Sequence, residues 1–294
     1  MLLEVKNLKT QFITKKGTVS AVNGVNFSLD KGEKMAVVGE SGSGKSVTSL
    51  SIMRLLSKSS NIKISGDILF KDENLLDKTE KEMQDIRGKN ISMIFQEPMT
   101  SLNPVYTIGR QISEAIIKHE GLGKKEAKEK AVQMLKLVGI PSPEKRLIVC
   151  DEAVSALDVS IQAQVLNLLD DLQKELGFTY LFIAHGLNVV KHISDRVGVM
   201  YLGKMVELAD VDDLYSSPLH PYTQALLSAI PIPNPDKKRN RIILGGEVPS
   251  PINPPKGCRF HTRCSKCMDI CKEKEPDVVK LENGHSVACH LYDK

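Results

Sequence analysis

Eight consecutive residues, Gly39, Glu40, Ser41, Gly42, Ser43, Gly44, Lys45 and Ser46, restrict this chain more than any other stretch, because they fit G-x-x-x-x-G-K-[ST]. The pattern has a mechanism only in one setting, a strand before it and a helix after it. Met35–Val38 is a short apolar run of the kind that makes a buried parallel strand, and Val47 to Leu56 is apolar enough for a helix packed on a sheet. In that setting backbone N–H groups converge on an anion at a helix N-terminus. Gly42 and Gly44 let the backbone curl close to it. Lys45 would reach the β- and γ-phosphates, and the Ser46 hydroxyl would ligate Mg²⁺. The stretch therefore implies a site for a nucleoside triphosphate.

The remaining chain supplies matching parts. Residues 1–34 read as antiparallel strands with turns at Lys15-Lys16-Gly17 and Asp30-Lys31-Gly32-Glu33. Phe12, on the first of them, would stack on a purine ring or serve as a plain core residue. Ile64 to Phe70 reads as a strand and Lys78 to Arg87 as a charged helix. Ile91–Phe95 is a further apolar run and ends at Gln96, an amide placed to touch Mg²⁺ or the attacking water. Residues 108–139 read as helical, with Ala127, Ala131, Met134, Leu135 and Val138 at helical spacing and Gly139 at the C′ position. Leu147-Ile148-Val149-Cys150 closes in Asp151 and Glu152. At such a strand end the Asp holds Mg²⁺ through water and the Glu serves as base for the attacking water; the bland alternative is a solvated pair of acids. An amphipathic helix from Ile161 to Leu176 precedes the strand Tyr180–Ala184, which ends at His185, a position suited to sensing a γ-phosphate.

Composition narrows the class. At 294 residues there is ample chain for a core, and no apolar run approaches the ~20 residues of a membrane span. The first residues lack a basic n-region followed by an apolar core, so no signal peptide is expected. A net charge of +4, evenly spread, argues against a dedicated nucleic-acid binder. Five of the six cysteines fall at Cys258, Cys264, Cys267, Cys271 and Cys289. That clustering suits an iron–sulfur cluster or Zn²⁺ better than a disulfide framework, with reduced surface thiols as the alternative. Cys150 reads as a small core residue.

Taken in order, Gly39–Ser46, Gln96, Leu147–Glu152, Ser155–Asp158 and His185 resemble the ATP-binding subunits of ABC transporters. Phe95-Gln-Glu-Pro-Met-Thr-Ser-Leu-Asn-Pro and Pro218-Leu-His-Pro-Tyr-Thr narrow the resemblance to the oligopeptide/dipeptide permease ATPases. It implies a P-loop α/β cassette with an antiparallel edge sheet. The domains would be a cassette over 1–210, with a shortened helical subdomain at about 97–146, and a Cys-bearing extension over 211–294. It implies ATP and Mg²⁺, and a [4Fe–4S] cluster on Cys258, Cys264, Cys271 and Cys289. The partners it implies are transmembrane permease subunits, a second ABC ATPase subunit and, indirectly, an extracellular peptide-binding protein. The place it implies is the cytoplasmic face of the plasma membrane. Two departures stand out. The family's Leu-Ser-Gly-Gly-Gln signature is absent, with only a few residues between Pro143 and Leu147 where the family has roughly thirty more. Glu152 is followed by Ala153 and His185 by Gly186, where Pro and Asp are usual. The first half resembles one of the two paired ATPases of these importers and Leu147 onward the other. The rival readings are a non-transport ABC ATPase and a degenerate cassette that holds ATP without efficient turnover.

Overall fold

The first thirty residues form the expected hairpin: β1 (Leu3–Thr14) pairs antiparallel with β2 (Gly17–Leu29) around Lys15-Lys16. β4 (Ile62–Phe70) pairs on the other edge of β1, and β5 (Glu73–Asn74) completes a four-stranded antiparallel sheet in the order β2-β1-β4-β5. β1 buries Leu3 and Val5, then, after a bulge at Lys6–Asn7 (Asn7 φ 48°) shifts the phase by one residue, Leu8 and Thr10. Each pair keeps the period of two of a strand with one face on the core. The computed structural model describes residues 1–56, 61–95, 106–137, 147–152, 159–184, 187–230 and 241–293.

The second sheet carries the site. It has eight strands in the order β11-β12-β10-β9-β3-β8-β7-β6. β3 (Lys34–Val38), β6 (Ile91–Ile94), β7 (Leu147–Asp151), β8 (Thr179–Ala184) and β9 (Arg196–Tyr201) run parallel, and β10 (Lys204–Asp210) turns back antiparallel. β3 is buried on both faces, as its unbroken apolar run requires. Met35 and Val37 join the core shared with the antiparallel sheet, while Ala36 and Val38 join the opposite core. That opposite layer contains α5 (Val159–Leu176), which contributes Leu169, and α6 (Leu187–Ile193), which contributes Leu187 and Val190. Because the strands are parallel, their C-terminal ends lie in one row. Ile183 of β8 stands opposite both Val37 and Asp151. Ligands of open α/β sheets bind along that row.

Two helices differ from the sequence pattern. α1 (Lys45–Ile52) stops four residues short of Leu56, because Arg54 takes a left-handed φ of 50° and its guanidinium donates to the Leu75 and Lys78 carbonyls. The helical stretch 108–139 is two helices, α3 (Ile108–Glu120) and α4 (Lys124–Leu137), divided at Gly121 with φ 69°. Ile116, Ala127 and Ala131 make a small core of their own, with Ile112 and Leu122 against it. Gly139 lies outside the described residues. α2 (Glu80–Ile86) starts at Thr79, whose hydroxyl accepts from the Glu82 amide while Glu82 accepts from the Thr79 amide, a complete capping box.

Beyond β10 the chain forms α7 (Val211–Ser216) and α8 (Pro221–Ser228), then α9 (Ile270–Glu273) and the hairpin β11 (Val278–Lys280) with β12 (Ser286–Ala288). β12 pairs with β10 at Glu207 and Leu208, so the last strands extend the main sheet. Glu207 is buried and fully engaged: its carboxylate accepts from the Leu219 amide at 2.7 Å, the His220 amide at 2.9 Å and His285 Nε2 at 2.7 Å. Phe260 packs edge-on against Tyr201 and touches Tyr222 and His220.

Candidate nucleotide site

The loop leaves β3 at Gly39 and enters α1 at Lys45, held by backbone on two sides. A side chain on Gly39 would meet the Met200 carbonyl at 2.2 Å, and one on Gly44 would meet the Ala21 carbonyl at 2.3 Å. Both residues also have φ values that L side chains rarely adopt, 154° and 100°. The Ser43 carbonyl accepts from the Gly203 amide at 2.8 Å, and the Gly203 carbonyl accepts from the Asn23 amide at 2.8 Å. Thus β2 and the β9–β10 turn both brace the loop. Gly42 is different: it has φ 77° and nothing within 4 Å of where its side chain would be.

Lys45 is 4% exposed and curls over the loop, its Nζ donating to the Gly39 carbonyl at 2.8 Å and the Glu40 carbonyl at 3.1 Å. Burial pulls the pKa of the ammonium down, and the charges of Glu152, Asp151 and Glu40 oppose that shift. Ser46 Oγ donates to Asp151 Oδ1 at 3.0 Å, joining loop and β7 across β8. Asp151 and Glu152 are both buried, and Glu152 sits at φ 50° with its amide donating to the Ile183 carbonyl at 2.9 Å. A non-glycine residue in that region carries backbone strain, a feature that clusters at functional sites. Lys45, Ser46, Asp151 and Glu152 are therefore brought together at the strand ends. Gln96 and His185, which follow Phe95 and Ala184, lie outside the described residues. Phe12 is half-buried on β1 opposite Val19, two residues along β2 from the Ala21 carbonyl that touches the loop.

One part of the site has no counterpart in the sequence reading. Glu40 is held by residues from far along the chain: its amide donates to Tyr222 Oη at 2.9 Å, and its carboxylate accepts two hydrogen bonds from Arg263 at 2.7 and 3.3 Å. Nothing local signals a contact across 223 residues.

In the extension, Cys271 and Cys289 are buried and Cys258 and Cys264 half-buried. The Cys258 amide donates to the Cys271 carbonyl at 2.8 Å. Burial pushes the Cys258 thiol up to about 11, and Cys264, Cys271 and Cys289 all act on it. Cys289 in turn feels Cys264 and Cys271, so the four thiols form one neighbourhood. Among the described residues no set of three His, Cys, Asp or Glu side chains forms a group able to hold a metal ion. No helix among them is long and apolar enough to cross a membrane.

Comparison with known proteins matches this architecture. Residues 22–156 match the ABC transporter family model, and residues 206–271 match the model described as oligopeptide/dipeptide transporter, C-terminal region. The chain is 46% identical to the oligopeptide transport ATP-binding protein AppD of Bacillus subtilis (strain 168), over 100% of this chain and 97% of that one. That alignment spans 320 positions against 294 residues here, so the relative has at least 26 residues without a counterpart in this chain. The dipeptide transport ATP-binding protein DppD of the same organism is 42% identical over 100% of this chain and 95% of its own. The oligopeptide transport ATP-binding protein OppF of Haemophilus influenzae is 45% identical over 97% of this chain and 93% of its own. A solved dimeric bacterial ABC transporter cassette superposes with a TM-score of 0.58 at 20% identity, over 71% of this chain and 98% of the other, a likeness of fold. By identity along its whole length and by both family matches, this chain belongs to the ABC transporter ATP-binding proteins, in their oligopeptide/dipeptide branch.

Proposed function

We propose that the chain binds Mg·ATP at Gly39–Ser46 and, as a motor subunit, couples ATP hydrolysis to import of short peptides. The observation that carries this reading is the Ser46–Asp151 contact at 3.0 Å beside the buried Lys45, in a chain with full-length relatives named as oligopeptide transport ATP-binding proteins. Lys45 would neutralise the β- and γ-phosphates, and Ser46 and Asp151, with Gln96, would hold Mg²⁺. Mg²⁺ supplies charge neutralisation at the phosphoryl oxygens. Glu152 orients and deprotonates the attacking water, His185 contacts the γ-phosphate, and Phe12 stacks on the base. We take residues 1–210 as the cassette, with 97–146 as its helical part, and 211–294 as the extension. The work is done at the cytoplasmic face of the membrane, with transmembrane permease subunits, a second ABC ATPase and a peptide-binding protein outside.

For the thiols of Cys258, Cys264, Cys271 and Cys289 the reading we favour is a [4Fe–4S] cluster; soft thiolate donors and their mutual influence support it, although as placed they form no group able to hold a metal ion. A second functional reading is favoured by the missing signature. Phosphoryl transfer is catalysed mainly by positioning and electrostatics, so a site that no partner segment closes turns over slowly. The chain alone then binds ATP and hydrolyses it poorly, and an intact second ATPase completes one site. The test is steady-state ATPase activity of the purified chain with and without that partner, alongside Lys45→Ala and Glu152→Gln. Robust turnover by the chain alone, abolished in Glu152→Gln, refutes the dependence on a partner. Unchanged ATP affinity in Lys45→Ala refutes the nucleotide site.

A further inference from the structure

The phosphate loop contains a carboxylate, Glu40, in a place built for anions. Its charge acts on Lys45, so it also acts on whatever phosphate Lys45 binds. The same carboxylate is gripped by Arg263 through two N–H groups, Nη1 to Oε2 at 2.7 Å and Nη2 to Oε1 at 3.3 Å, with the arginine side chain 8% exposed. Arg263 belongs to the extension and immediately precedes Cys264. Four residues earlier, Arg259 donates to the Leu202 carbonyl, next to the Gly203 amide that binds Ser43 of the loop. Phe260, between the two arginines, is wedged against Tyr201 and Tyr222, and Tyr222 holds the Glu40 amide. The extension thus touches the loop at Glu40 directly and at Ser43 through one turn.

We propose that Arg263 is a positioning residue for the nucleotide: it cancels the Glu40 charge and fixes the front of the phosphate loop from the extension. This rests on the nucleotide reading of Gly39–Ser46. A planar guanidinium suits the task because its two parallel N–H groups fix a carboxylate's orientation as well as its charge. Without it, Glu40 keeps its negative charge at an anion site, screened only by the solvent that reaches its partly exposed carboxylate.

The test is equilibrium binding of Mg·ATP to the full chain, comparing wild type with Arg263→Gln, Glu40→Gln and the double variant, at low and high salt. Arg263→Gln weakens binding about tenfold, the scale of one uncompensated charge at partial burial. Glu40→Gln alone tightens binding by about two- to threefold, because the cation remains and the opposing anion is gone. The double variant returns to within about threefold of wild type, and high salt narrows the Arg263→Gln deficit. A purely structural arginine gives the opposite pattern: Glu40→Gln weakens binding and the double variant is no better than Arg263→Gln. That pattern, or wild-type affinity in Arg263→Gln, overturns the proposal. If Arg263→Gln does not fold by circular dichroism, the direction of the Glu40→Gln effect decides by itself. Failure of the wild-type chain to bind Mg·ATP overturns the nucleotide reading instead.

Discussion

His220 couples the stability of the extension to pH, in a direction its surroundings fix. It is 1% exposed, and burial lowers its pKa from 6.5 to about 4 although the neighbouring Glu207 charge works against the shift. As a neutral ring it caps α8, Nδ1 accepting from the Tyr222 amide at 3.1 Å; a protonated ring has no lone pair for that bond. Because the folded value lies below the unfolded one, the unfolded chain binds more protons between about pH 4 and 6.5, so acid favours unfolding there. The linkage for a shift of that size amounts to about 2 kcal/mol lost between pH 7 and 5, and about 3 kcal/mol by pH 4. His220→Asn keeps an N-cap acceptor that does not titrate. Urea unfolding of both proteins across this range measures the effect: the variant starts lower by about 1–2 kcal/mol from lost packing, and the gap closes as pH falls. Parallel stability curves for the two proteins would refute the argument, since the pH slope would then come from other groups.

The two glycine environments in the phosphate loop give a paired test. Gly42→Ala meets only its backbone penalty, about 1 kcal/mol, whereas Gly44→Ala also drives a methyl into the Ala21 carbonyl and lowers the melting temperature further. Equal losses would show that β2 does not brace the loop. The thiol neighbourhood is tested by composition: anaerobically purified chain contains iron and acid-labile sulfide, both lost in Cys264→Ser and Cys271→Ser. Zinc alone, or no metal, rules out the cluster.

Much of the site was legible because its signals are local. Gly39–Ser46 with its flanking apolar runs, and Leu147–Val149 closing in Asp151 and Glu152, each need only a few consecutive residues, and parallel strands then align the ends. The register that sets Ile183 between Val37 and Asp151 is a property of the sheet, not of any segment. Gly121 divided a helical pattern that periodicity alone carried through, because the apolar spacing on either side stays in phase. Arg263 is the clearest miss. Beside Cys264 it reads as part of a cysteine tail, and its partner at Glu40 is set by tertiary packing of Phe260 on Tyr201 and Tyr222. The hairpin of β11 and β12 has three residues per strand, too short for alternation to announce it.

The strand order has a consequence for how the chain is made. β3 has no sequence neighbour in its sheet: it lies between β8 and β9, and Val38 pairs with Ala184 and Val199. The hairpin of β1 and β2 can close as soon as it leaves the ribosome, but β3 waits for partners about 146 and 161 residues behind it. At ribosomal speeds of roughly 5–20 residues per second, the strand that launches the phosphate loop stays unpaired for on the order of ten seconds or more. Throughout that interval Met35–Val38, buried on both faces in the finished protein, is an open apolar edge. The interval makes nucleotide-binding competence among the last properties the polypeptide acquires.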